Sequence, residues 1–286
     1  MSVHAETLSS RPAVKIRSWT WPRVLLVLAA LFYVSVLLLA PIAGILLAVV
    51  KAGWSVAQET FARPDVRHAY YLTFIIAIVT VIVTTFFGVL TAWVLARHKF
   101  FGRQALNALV DLPLAVSPVI VGLMIVILFG RGGWFEPFFA ARGIQIIFAL
   151  PSMIIVTIFI CVPFVIREVA PILQELGTDD EEAAMTLGAS SFQTFRRVTL
   201  PNIRWGLAYG VALSTARALG EIGAVLIVSG ALQGQTETAT LYVLRAIEER
   251  QEASGYIVAL SLAAISIVLL IGIEMYKNRK SIKETK

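Results

Sequence analysis

Apolar residues along this chain come in long blocks rather than at the dispersed spacing of a soluble core. Six blocks are long enough to cross about 30 Å of hydrocarbon as helices: Val24 to Val50, Tyr70 to Ala96, Leu112 to Phe129, Ile144 to Ile166, Trp205 to Val228 and Tyr256 to Met275. They predict an all-α membrane protein with six transmembrane helices. Pro113 and Pro118 stand at the start of the third block, which leaves a re-entrant course open for part of it. The first block follows a basic stretch but exceeds a signal-peptide core and has no clear small-residue cleavage site after it, so it reads as a retained span.

The polar segment between the fourth and fifth blocks, "LGTDDEEAAMTLGASSFQTFRRVTLP" at 176–201, is patterned as two short helices. Thr178 with Glu181 matches a capping box, and Asp179, Asp180, Glu181 and Glu182 suit a helix N-terminus. Gly188 can supply a left-handed stop. Ser190 with Gln193 forms a second capping-box pattern, and Phe192, Phe195 and Val198 then share one face before Pro201 interrupts the helix. The expected product is a helical hairpin. Its acidic first helix and its tethering at both ends argue against a DNA-reading helix-turn-helix. Packing under its own bundle and docking to another protein, with Met185 and Phe192 presented to a groove, both remain, and the pattern leans to docking.

Within the fifth block Gly206, Gly210, Ser214 and Ala218 recur every four residues, a stripe where another backbone can come close. Arg217 and Glu221 each follow a stripe position by seven residues, a turn of only about 20°. The charges are therefore expected beside the packing seam, facing the bundle interior or a water-filled cavity. One charge at mid-span costs roughly 2.5–3.5 kcal/mol on insertion scales, so pairing is expected to offset part of the penalty. Arginine before glutamate is the less favourable order for an i,i+4 pair, which argues against helix stabilisation as the whole purpose. Two roles stay open: a neutralised pair that locks the helix to a neighbour, or a part of the transport path or its gate.

Charge adds orientation. If both termini share one side, that side carries sixteen of the 24 Lys and Arg residues: Arg11, Lys15, Arg17, Arg23, Arg97, Lys99, Arg103, Arg167, Arg196, Arg197, Arg204, Lys277, Arg279, Lys280, Lys283 and Lys286. Only seven, Lys51, Arg63, Arg67, Arg131, Arg142, Arg245 and Arg250, fall on the other. The positive-inside bias then places both termini and the 167–204 loop in the cytoplasm, and the net charge of +6 needs no nucleic acid to explain it. Cys161, the one cysteine, lies in the fourth block, which leaves no disulfide or Cys-rich metal site. His4, His68 and His98 are too scattered to suggest a triad or metal set. No G-x-x-x-x-G-K-[ST] loop occurs; "GRGGW" at 130–134 lacks the lysine. The chain reads as a non-enzyme, with any ATP hydrolysed by another chain.

Glu182, Ala183 and Ala184, then Gly188, then Val198, Leu200 and Pro201 resemble the EAA signature of permease subunits of ATP-binding-cassette importers, with Val198 for the usual isoleucine. "FRRVTLPNIRWGLAYG", "ARALGEIGAVLIVSG", "DLPLAVSPVIVGL" and "TIFICVPFVIREVAP" are similar to sulfate/thiosulfate importer permeases, more to the W-type than the T-type subunit, from about 68 to 276. Molybdate permeases share much of the text around Arg217 and Glu221.

The resemblance implies a type I importer permease fold in a bacterial inner membrane. Its layout is a tail at 1–23, a first helix at 24–50, a permease domain at 68–276 with its coupling loop at 176–201, and a tail at 277–286. The hairpin residues Glu182, Ala183, Ala184, Gly188, Leu200 and Pro201 are then expected to couple to a separate ATPase, present in two copies and holding ATP and Mg, with no cofactor on this chain. The other implied partners are a T-type permease and an extracytoplasmic sulfate-binding protein, with sulfate or thiosulfate as cargo. Arg217, Glu221 and Ser214 become candidates for the translocation path or gate. The planar fork of arginine suits two oxygens of an oxyanion, whereas Glu221 is expected to orient Arg217 or close a gate. Pro113, Pro118 and Pro163 are candidate kinks in the lining helices. The alternatives are a molybdate-type permease, an ion-coupled secondary transporter with Glu221 as proton carrier, and a regulatory membrane protein whose hairpin recruits a cytoplasmic factor. The secondary transporter predicts internal repeats, and neither the charge pair nor the hairpin has a visible second copy.

Overall fold

In hydrocarbon a backbone must satisfy its own hydrogen bonds, and the long apolar blocks do so as helices. The computed structural model describes residues 21–284. His4, Arg11, Lys15, Arg17 and Lys286 lie outside these, as do the side chains of Arg23, Lys277, Arg279, Lys280 and Lys283. The chain divides into two compact units, up to Leu47 and from Ala48. The described part of the first is helical and carries exposed apolar side chains such as Leu25, Phe32 and Leu39. It belongs to α1 (Trp21–Ala62), which is interrupted at Gly53, where φ is 84°.

The second unit continues with α2 (Pro64–Arg97), α3 (Arg103–Ala115), α4 (Pro118–Phe129), the short α5 (Glu136–Ala140) and α6 (Leu150–Leu176). The hairpin segment forms α7 (Asp179–Thr186), α8 (Ser191–Thr194) and a π turn (Phe195–Thr199). Then come α9 (Leu200–Leu219), α10 (Gly223–Ser229), α11 (Ala239–Glu248) and α12 (Glu252–Glu284). Among the described residues four helices are long and apolar enough to cross a membrane, or six if each of two bent pairs is one span.

Three of the expected spans change form. The third is split: α3 and α4 meet at a 112° bend. The ring of Pro118 drives Ser117 out of the helical region, to ψ 136°, and Val116 before it is extended at ψ 139°. The fourth starts later and ends later than expected. Residues 144–149 are non-helical because the Phe148 amide donates to the Val228 carbonyl, at 2.8 Å, while the helix runs on to Leu176 with Pro163 and Pro171 inside it. The fifth is not one helix: α9 and α10 are separated by Gly220, Glu221 and Ile222, with a 53° bend.

α6 is central, packing on α2, α9, α10, α3 and α4. One buried cluster joins Ile76, Val121, Met153, Val156 and Val225; a second, nearer the hairpin, joins Val89, Leu95, Val165, Leu173 and Ile203. The glycine stripe of α9 does meet backbone: a Cβ on Gly210 would lie 3.0 Å from Val165 Cα, and one on Gly206 would lie 2.9 Å from the Glu168 carbonyl oxygen. α4 and α10 approach as closely, since a Cβ on Gly122 would sit 2.8 Å from the Ala224 carbonyl oxygen. Backbone cannot yield as a side-chain tip does. Gly122→Val is therefore expected to destabilise the fold by about 1–3 kcal/mol, read as a lower thermal midpoint in detergent; an unchanged midpoint would show that α4 and α10 separate freely.

Candidate functional site

Two groups of expected site residues lie far apart along the bundle. In the hairpin, Gly188 adopts φ 89° and ends the first helix as a left-handed stop. The Ser190 and Gln193 capping box is present in both directions, at 3.3 and 2.9 Å. The other box is not. Thr178 Oγ1 donates to Glu182 Oε1 at 2.7 Å, and Glu181 turns away because Arg97 and Thr199 claim it. Arg97 donates through Nε and Nη2 to the two Glu181 oxygens, both at 3.0 Å, and through Nη1 to the Leu173 carbonyl at 2.6 Å. Thr199 Oγ1 gives Glu181 a third donor, to Oε1 at 2.8 Å.

Pro201 also behaves differently from the expectation. The helix does not stop before it but passes through the π turn, with the Leu200 amide donating to the Phe195 carbonyl, and Pro201 falls in the first turn of α9. A proline lacks an N–H and its ring crowds the carbonyl one turn back; the wider π turn relieves both. The hairpin is consequently continuous with the fifth span. At its tip Glu182, Ala183, Met185, Leu187 and Phe192 are exposed, with Leu187 at 89% and Phe192 at 71%; Ala184 is half-buried, as is Leu200. An apolar knob rimmed by carboxylates faces away from the bundle.

In the fifth span Arg217 lies in the last turn of α9, and Glu221 lies in the break. Nη2 of Arg217 is 2.7 Å from Oε2 of Glu221, with the arginine side chain 31% exposed and the glutamate 1%. Oε2 accepts no aligned hydrogen bond within the described chain, so this ionic contact is its compensation. Oε1 accepts from the Ala224 amide at 2.8 Å, within the first turn of α10, and the Glu221 carbonyl accepts from Thr240 Oγ1 at 2.8 Å. Glu221 therefore serves the break itself, supplying an acceptor for an amide that a continuous helix would have satisfied. Ser214 is fully buried, its Oγ 3.1 Å from Thr84 Oγ1 on α2, so it joins two helices.

Sequence reasoning missed a further cluster at the end of α2 remote from the hairpin. Asp65 accepts from Arg63 at 3.0 Å and from Arg245 at 3.1 Å. Arg245 also donates to Glu237, whose side chain is 1% exposed, at 2.6 and 3.0 Å. The Glu237 hydrogen bonds hold the Arg245 pKa well above its ordinary value, against the opposing effect of burial. Asp65 and Arg245 are 180 positions apart, and the local hints were Arg63 two residues before Asp65 and Glu237 eight before Arg245.

A helical bundle with broken spans, a charge pair at one break and an exposed hairpin between two spans fits the class of polytopic membrane transport subunits. The pattern of the family described as "Binding-protein-dependent transport system inner membrane component" matches residues 84–281, and the chain belongs to that family. It is 44% identical over 257 residues to the sulfate transport system permease protein CysW of Synechocystis sp. (strain ATCC 27184 / PCC 6803 / Kazusa), covering 90% of this chain and 93% of that one. To the protein of the same name from Escherichia coli (strain K12) it is 40% identical over 258 residues, covering 89% and 87%. A solved bacterial alginate ABC transporter, in complex with an alginate pentasaccharide-bound periplasmic protein, contains a chain that superposes with a TM-score of 0.77 at 18% identity, over 91% of this chain and 94% of that one. That likeness shows the fold, the type I importer permease fold. The resemblance read from the hairpin and its neighbouring segments is borne out.

Proposed function

We propose that this chain is one membrane half of an ATP-driven importer of sulfate or thiosulfate. The observation that carries the reading is the identity of 44% to a sulfate transport system permease protein over 90% of the chain. The hairpin supports the coupling role: its exposed Met185, Leu187 and Phe192 offer an apolar anchor, with Glu182 at the rim and the whole unit held by Arg97. A T-type permease supplies the other half of the path, two ATPase copies bind ATP and Mg, and an extracytoplasmic binding protein delivers the anion. The charge distribution supports cytoplasmic termini and a cytoplasmic hairpin. Arg217 meets an oxyanion or holds the gate in this reading, with Glu221 setting its position; its partial exposure beside a buried carboxylate supports either role.

The test is labelled sulfate uptake by the complex of this chain with a T-type permease, an ATPase and a binding protein. Uptake is expected to require ATP and to be competed by thiosulfate more than by phosphate, with molybdate as the discriminating third anion. Stronger competition by molybdate than by thiosulfate would reassign the cargo. Full transport by this chain alone would remove the reading in favour of a secondary transporter.

A further inference from the structure

α2 carries an ionic contact at each end. At the hairpin end Arg97 grips Glu181 through two parallel bonds, both side chains largely shielded at 8% and 13% exposure. At the other end Asp65, in the first turn, holds Arg245 of α11, which holds Glu237. Between them runs one helix of 34 residues with no non-helical residue and no proline beyond its first turn, a rod of about 50 Å.

The remote half of this rod is bonded to the start of α11, and through it to the break in the fifth span. Thr73 Oγ1 accepts from the Ala239 amide at 2.9 Å, and the adjacent Thr240 donates to the Glu221 carbonyl. A chain of bonded groups thus leads from the hairpin through Arg97 and α2 to the 239–240 turn and Glu221. The alternative route, along α9, starts in the π turn and ends as a helix at Leu219, so that it meets Glu221 only through the side-chain contact of Arg217. A π turn and an unwound break are the places where a helix yields. α2 has neither.

We propose that Arg97 is a positioning residue and that α2 is the rod through which displacement of the hairpin reaches the Glu221 break. The inference rests on the reading above that the hairpin takes up the movement of an ATPase. The fork of Arg97 resists both sliding and rotation of Glu181, which a single-point contact does not. The same carboxylate accepts from Thr199 of the π turn, and the same guanidinium donates to the Leu173 carbonyl near the end of α6. α7, the π turn, α2 and α6 are therefore joined at one node. When that node moves, α2 moves; Thr73 then shifts Ala239, and Thr240 shifts the Glu221 carbonyl beside Arg217.

The experiment is sulfate moved per ATP hydrolysed by the complete complex in proteoliposomes, with the amount of assembled complex measured alongside. Arg97→Gln is expected to lower this ratio about tenfold, within the usual range of coupling between sites, while assembled complex and ATP hydrolysis persist. The exchange R97E/E181R is expected to recover a large part of it. Thr73→Val, at the far end of the rod, is expected to lower the ratio as well, and R97Q/T73V to fall no further than Arg97→Gln alone, because both interrupt one route. An unchanged ratio in Arg97→Gln overturns the proposal, as does a double variant in which the two losses multiply. If Arg97→Gln does not assemble, an unchanged ratio in Thr73→Val overturns it equally. Absence of ATP-dependent uptake by the unsubstituted complex removes the proposed function and this inference with it, whereas normal uptake with unaffected variants removes only the route through α2.

Discussion

Gly188→Leu is expected to abolish most sulfate uptake while leaving the chain inserted in the membrane and the partner ATPase active. Gly188 sits at φ 89° with no atom within 4 Å of the position a Cβ would take, so the cost comes from the backbone and not from a clash. A leucine in the left-handed region costs roughly 1–2 kcal/mol, and the hairpin can avoid it only by rewinding the turn between α7 and α8. Rewinding changes the angle between Met185 on one side and Phe192 on the other, the two exposed apolar groups that would seat in a groove. A penalty of that size corresponds to about a five- to thirtyfold loss of the seated geometry. Glu182→Lys is expected to act in the same direction by another cause. It puts a cation in the first turn of α7, where the helix dipole favours an anion, and removes the acceptor of Thr178. The measurement is ATP hydrolysed and sulfate moved by the same preparation; coupled uptake at the unsubstituted level in both variants would take the coupling role away from the hairpin.

Arg217→Ala is expected to depress sulfate uptake more than it depresses assembly of the complex. Removing the guanidinium strands a carboxylate that is 99% buried at its side chain, since Oε2 has no other compensation among the described residues. Breaking a buried pair from one side costs about 3–5 kcal/mol, and the value here falls below that because Arg217 is itself a third exposed. Glu221→Gln separates the two duties of the glutamate. Its amide oxygen can still accept from the Ala224 amide and keep α10 capped, while the charge beside Arg217 is gone. If Arg217 meets the anion, Glu221→Gln retains assembly and alters sulfate affinity, and Arg217→Ala loses uptake with the complex intact. Equal loss of assembly and uptake in Arg217→Ala would instead identify the pair as a lock between helices.

The order in which features became legible follows the range of the interactions behind them. The apolar blocks, the second capping box and the left-handed stop at Gly188 depend on residues within a few positions of one another, and all three were readable along the chain. So were the absence of a nucleotide-binding loop and the spacing from Glu182 to Pro201. The first capping box failed for a non-local reason: Thr178 and Glu181 have the right spacing, but Arg97, 84 residues away, outbids the backbone for the carboxylate. The fifth span failed for a related one. A charged pair in an apolar run reads as an unbroken helix with a penalty, whereas in the fold Thr240 and the Ala224 amide compensate an unwound turn between Gly220 and Gly223. Two glycines three apart around a glutamate were the available signal.

What the order of residues specifies on its own is therefore the solvent and the local geometry: a chain that must live in a bilayer, the helices it can form and the hairpin between two of them. Hydrophobic transfer and capping act over one or two turns, and sequence is sufficient for both. Which charges distant along the chain meet was decided only by tertiary structure. In a low-dielectric interior every buried charge must find a partner; Arg217 and Glu221 are close enough along the chain to be read as a pair, but Arg97 for Glu181 and Arg245 for Asp65 come from helices whose proximity no local pattern encodes.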